Sequence, residues 1–201
     1  MENQKMTLEE MLQILEDAHN RYLNMTPEER RDCRPQNKLR YWGTQKSLYD
    51  YCDKYHLVEG KSYLYVLKCA EDLYYIGETN GIFQRFREHF APSGKSAVSA
   101  TAVYEPQSVH EIIPLGEISK SQRLVYEDAL TVEYANKYTI YQVRGGHFSH
   151  YDIQKAYSEK KLQSHWLYEE HGRLRFINPQ YNWMLSAINQ MQKFPRIHPK
   201  L

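Results

Sequence analysis

The 201 residues are enough for one sizeable core with additions, and a content of 41% hydrophobic and 25% charged residues belongs to a folded globular chain and excludes a disordered one. No apolar run approaches the roughly eighteen residues of a membrane span, and Met1-Glu2-Asn3-Gln4 leads into an acidic amphipathic segment instead of a secretory signal, so we expect a cytoplasmic protein with no membrane partner. Cys33, Cys52 and Cys69 are odd in number and lack metal-type spacing, which fits reduced thiols and argues against a structural zinc site.

The net charge of +1 is unevenly spread: residues 151–201 carry 8 Lys+Arg against 4 Asp+Glu, while residues 1–60 carry 9 against 11. Within the first segment Arg30, Arg31, Arg34, Lys38, Arg40 and Lys46 surround Tyr41-Trp42. Such a run reads either as a solvated face or as a track along a phosphate backbone with aromatics for stacking. Thr7 with Glu10, and Thr26 with Glu29 followed by Pro27, have capping-box spacing and predict helices, the first with an apolar stripe of Leu8, Met11, Leu12 and Leu15. Gln45 to Tyr55 predicts another helix. Residues 1–60 are therefore expected to form a helical extension for recognition or dimerisation.

The character changes at Lys61. Ser62 to Lys68 and Leu73 to Gly77 are rich in β-branched and aromatic residues around the polar turn Ala70-Glu71-Asp72, which predicts a β-hairpin. Asn80 is positioned to cap a helix from Gly81 to Phe90, and after the loop Pro92-Ser93-Gly94-Lys95-Ser96 a third strand is expected at Val109 to Leu115. Ser119 with Gln122 offers a capping box for a long helix through Tyr138, broken into a turn at Val143-Arg144-Gly145-Gly146. Residues 151–201 are expected to add two helices, Tyr151–Glu169 and Gln180–Gln192, as a C-terminal extension.

The chemistry-bearing residues cluster in the middle unit, 61–150. Tyr63-Leu64-Tyr65 is followed ten positions later by Tyr75-Ile76-Gly77, with Arg85 eight residues after Gly77 and His89 twelve after it. Arg85 and His89, four apart, share one helix face. Glu127 then lies in Tyr126-Glu127-Asp128-Ala129 on the long helix, before Tyr134, Tyr138 and Gln142-Val143-Arg144-Gly145-Gly146. This ordered set resembles the GIY-YIG nucleases, with Tyr63 and Leu64 in place of the usual Gly and Ile. Two further departures are Glu78, where many members carry Lys, and Gln142, where related sequences carry Asn.

The resemblance implies a small α/β (α+β) domain, three antiparallel strands packed with helices, that hydrolyses DNA phosphodiester bonds as an endonuclease, with RNA not excluded and a homodimer possible. It implies Glu127 as ligand to one Mg²⁺ or Mn²⁺ ion, Arg85 on a non-bridging oxygen, Tyr65 as general base and Tyr75 as orienting group. An unperturbed phenol titrates near 10, so Tyr65 needs nearby positive charge from Arg85 and His89 to act as a base. Arg87, Lys95, Gln142 and Arg144 are the candidate nucleic-acid contacts. Arg144, Gly145 and Gly146 form either a turn that faces nucleic acid or seals the cleft, or only a helix terminator. His147 and His150, three apart without a third ligand in phase, read as surface residues. The rival to the enzyme is a module that keeps the fold and binds nucleic acid or protein without cutting, as Glu78 and Tyr63 suggest.

Overall fold

Strand β1, Ser62–Cys69, is buried at every position but Lys68, the pattern of a central strand covered on both faces. Its side chains divide by parity: Tyr63, Tyr65, Leu67 and Cys69 enter one core, and Leu64 and Val66 enter another. In the computed structural model, which describes residues 45–90, 100–153, 167–170, 173–176 and 182–200, the elements around it are β2 (Tyr74–Thr79), β3 (Pro106–Gly116) and the two-residue β4 (Val143–Arg144). All the described residues fall within one compact unit, Lys38–Leu201.

The sheet order is β3-β1-β2-β4. β1 pairs antiparallel with β2, with Tyr65 opposite Gly77 and Leu64 opposite Glu78, and antiparallel with β3 through several register shifts. The three expected strands are present, and β4 adds a fourth, parallel to β2 at Tyr74–Val143 and Tyr75–Arg144. The segment expected to be a turn thus begins as a strand, because two residues are too few to carry a strand's alternating pattern.

Helices cover both faces. Helices α1 (Gln45–Lys54) and α2 (Ile82–Phe90) supply Leu48, Cys52, Ile82, Phe86 and Phe90 to the core that holds Tyr65. The short α3 is Ala100–Val103. Helix α4 (Lys120–Tyr138) starts at the expected capping box, where Ser119 Oγ accepts from Gln122 N and Gln122 Oε1 accepts from Ser119 N. With α5 (Asn182–Met191) it closes the opposite core through Leu130, Ala135, Met184, Ala187 and Met191.

The helix expected at Tyr151–Glu169 is overturned at its end. Leu167–Glu170 is strand β5, paired antiparallel with β6, Arg173–Phe176. Cross-strand pairing between the two halves outweighs local helical preference there. The helix expected at Gln180–Gln192 is met by α5. The expected N-terminal helices, the Leu8 stripe, and residues 30–44 of the basic stretch lie outside the described residues. No described helix is long and apolar enough to cross a membrane.

β3 is an edge strand, and the chain's C-terminal segment lies against it. Ile112 and Ile197 exchange two backbone hydrogen bonds of 2.9 Å, while Arg196 pairs with the fully buried Glu111 and with Glu133. Edge strands left bare are templates for unwanted pairing, so this cover has a protective effect.

Candidate active site

Tyr65 is fully buried at the centre of β1, and its hydroxyl sits over Gly77. A Cβ at position 77 would overlap that hydroxyl, which explains why the second tyrosine motif ends in glycine: the strand needs a position without a side chain. α2 then brings two groups to the phenol. Arg85 Nε donates to Tyr65 Oη at 2.8 Å, and His89 Nε2 lies 2.7 Å from the same oxygen. With the guanidinium donating, the phenol keeps its own proton to give, and it donates to His89 Nε2 in the tautomer that leaves that nitrogen bare.

α2 is placed for this by a cap from outside the helix. Glu59 Oε2 accepts from Phe83 N at 3.1 Å, so the N-terminal donor expected to meet Asn80 meets a carboxylate from the preceding link. Ile82, Phe86 and Phe90 anchor one face, and the i, i+4 pair Arg85 and His89 lies beside it. Tyr75 packs its ring against His89 and shares the Arg85 guanidinium with Tyr65.

Glu127 comes from α4, beyond the sheet, yet its charge acts on Tyr65, Tyr75 and Arg85. Burial pushes its carboxyl up to about 7, opposed by the Gly146 backbone N–H and by Arg85 and reinforced by Asp128 and Glu78. The four side chains from β1, β2 and α2 and this carboxylate from α4 are therefore brought together.

Residues 61–139 match the family model of the GIY-YIG catalytic domain. This segment belongs to the GIY-YIG family. No curated protein and no solved structure matches the chain. The GIY-YIG domain is a nuclease-family domain of mixed α/β build, with four strands where three were expected.

Within the GIY-YIG domain one electrostatic expectation is reversed. Burial raises the Tyr65 phenol well above its ordinary range, and the charge and hydrogen bond of Arg85 lower it only in part. Tyr75 is raised for the same first reason. Neither phenol is tuned to ionise by itself near neutrality.

Glu78 lies on the Leu64 face of the sheet, away from Tyr65, and Arg123 Nε donates to its Oε2 at 2.5 Å. Both side chains are largely buried, and Arg123 also reaches Ser62 Oγ and the Ile118 carbonyl. The carboxylate that replaces the family's usual Lys is thus one half of a β2–α4 ion pair.

Arg144 is corrected as a nucleic-acid contact. It is buried, and its guanidinium donates to the carbonyls of Ile140 and Val143 at 2.7 Å and of Tyr151 at 3.1 Å, binding the loop to itself. This pins Gly145, where a Cβ would meet Ile76 and Thr131, so the glycine serves a close backbone approach. Gln142 is exposed, Arg87 is half-buried on α2 and bonded to Gln84, and Lys95 lies outside the described residues.

Asp128, given no role by sequence reasoning, and His147, read from sequence as a surface residue and exposed here, stand beside Glu127. Asp128 is buried and accepts from His147 N at 3.0 Å and from His147 Nδ1 at 2.7 Å. That pairing raises the His147 imidazole. The adjacency of Asp128 to Glu127 was the available signal, but the contact spans 19 positions. His150 Nδ1 instead meets the Asp152 backbone, so the two histidines do not converge. Among the described residues there is no group of three or more His, Cys, Asp or Glu side chains placed to hold a metal.

Proposed function

We propose that this protein is a divalent-cation-dependent endonuclease that hydrolyses phosphodiester bonds of DNA. The observation that carries the reading is the Tyr65 hydroxyl held between Arg85 and His89 in a site that also feels the Glu127 carboxylate.

Glu127 fits a cation. It is a hard oxygen donor, and its burial, reinforced by the nearby Asp128 and Glu78 carboxylates, keeps its proton up to about 7. Mg²⁺ or Mn²⁺ bound there would supply charge neutralisation at the phosphoryl and leaving oxygens. A single protein carboxylate suits Mg²⁺, which keeps several waters and takes its remaining ligands from phosphate.

The protein's own groups perform the rest. Arg85 spends Nε on Tyr65 and keeps part of its planar fork for a non-bridging phosphate oxygen. Tyr65 Oη accepts a proton from the attacking water as it passes its own to His89 Nε2, so no free phenolate forms in the buried site. Tyr75, slightly more open than Tyr65, borders the same guanidinium and orients the nucleophile or phosphate.

The test is plasmid cleavage. Purified protein should nick DNA with Mg²⁺ or Mn²⁺ and stop with EDTA, and Glu127→Ala should lose cleavage while still binding DNA. Normal cutting by that variant would overturn the assignment, and salt-sensitive binding without cleavage under either metal would make the chain a binding module.

A further inference from the structure

The segment after β4 touches α4 in a way the proposed chemistry has not used. Two successive backbone N–H groups, of Gly146 and His147, meet two successive carboxylates, Glu127 and Asp128. The turn that does this is tight: Gly146 has φ +48°, and a Cβ there would overlap Asp128 Oδ1. One loop therefore fixes Glu127 and, through Asp128, the position of the His147 ring.

The pairing is lopsided in exposure. The Asp128 side chain is 6% exposed and that of His147 is 69% exposed. A buried carboxylate is costly unless it is well bonded, and both Asp128 oxygens engage this one residue, the backbone N–H at Oδ1 and the ring at Oδ2. With Nδ1–H committed to Asp128, the ring is locked in one orientation and Nε2 is left on its open side. The negative Asp128 favours the doubly protonated ring, in which Nε2–H is a charged donor.

We propose that His147, held by Asp128, is a substrate-positioning residue whose exposed Nε2 meets a backbone phosphate of the bound strand beside Glu127. The inference rests on the proposed nuclease reading for its ligand. The ring stands next to the carboxylate assigned to the cation, where a phosphodiester chain has to pass, and its outward nitrogen sits on a rigid mount whose negative Asp128 favours the protonated, donating form. A loop staple with no ligand would not require the imidazole to face outward.

The proposal is tested by binding, apart from cleavage. Fluorescence anisotropy of a labelled DNA duplex is measured in EDTA at pH 6.5 over a salt series, with the full chain as wild type, His147→Ala, His147→Arg and His150→Ala. Loss of one phosphate contact should weaken binding by roughly five- to tenfold and lower the slope of log K against log salt by about 0.9. His147→Arg should restore both, and His150→Ala should leave both unchanged.

In the Mg²⁺ cleavage assay the same loss should appear mainly in KM, with kcat changed less. A role confined to the fold would shift the melting temperature and leave the salt slope of the folded protein alone. Unchanged affinity and slope in His147→Ala overturn the proposal, as does a wild type that does not bind DNA. If His147→Ala weakens binding while wild type fails to cut with any divalent cation, the phosphate contact stands and the nuclease reading falls.

Discussion

Gly77 and Tyr65 face one another across β1 and β2, and the phenol occupies the volume a side chain at 77 would fill. Gly77→Ala should therefore push the hydroxyl off Arg85 and His89, lowering stability by about 1–3 kcal/mol in denaturant unfolding and reducing cleavage together with it. Tyr65→Phe separates the two effects. It keeps the ring in its core, edge-on to Phe86, and removes only the hydroxyl. We expect kcat to fall by about 10²–10⁴ with an unchanged circular dichroism spectrum. A Tyr65→Phe enzyme with normal kcat would remove this residue from the proton path and leave Tyr75 as the phenol that matters.

The elements are joined where the site needs them fixed. α4 carries Arg123 one turn before Glu127, and Arg123 is tied to Glu78 of β2 on the face of the sheet opposite Tyr65. The pair thus sets α4 against the strand that holds Tyr75 and Gly77. Arg123→Met should cost about 3 kcal/mol, because it strands a largely buried carboxylate. The double variant Arg123→Met/Glu78→Gln should recover most of that loss in equilibrium unfolding. If the single variant is as stable as wild type, the pair has no part in holding α4, and the carboxylate at 78 has to be explained by its effect on Glu127.

For the molecule as a whole, the site is a source of pH dependence. The folded Glu127 carboxyl titrates at about 7 against an ordinary 4.5. Between these values the folded state keeps a proton that the unfolded state has released, so the group's contribution to stability is greatest at low pH and is lost as pH rises through about 7. In metal-free solution Glu127→Gln should melt above wild type at pH 8, by an amount on the order of 1–3 kcal/mol, and the gap should close toward pH 5. Adding Mg²⁺ or Mn²⁺ should narrow it at pH 8 by stabilising wild type alone. A variant that melts with wild type at every pH would show that this carboxyl is not held in a desolvated site.

Much of the frame was legible in the sequence because its signals are local. The β-rich runs at Ser62 and Leu73, the shared helical face of Arg85 and His89, and the Ser119–Gln122 box each specify structure from within a few residues, and each is present. The same locality explains the misses. β4 is too short to have a period, and β5 takes its form from β6. Whether an arginine turns inward, as Arg144 does, depends on which carbonyls the folded loop offers it. The sequence by itself determined the hairpin, the helix faces and the ordered set from Tyr65 to Glu127, since periodicity and capping act at short range. Only the tertiary structure decided that Glu78 pairs with Arg123, that burial raises Tyr65, and that Asp128 aims His147 outward beside Glu127, because desolvation and partners 19 to 45 positions away exist only once the core has closed.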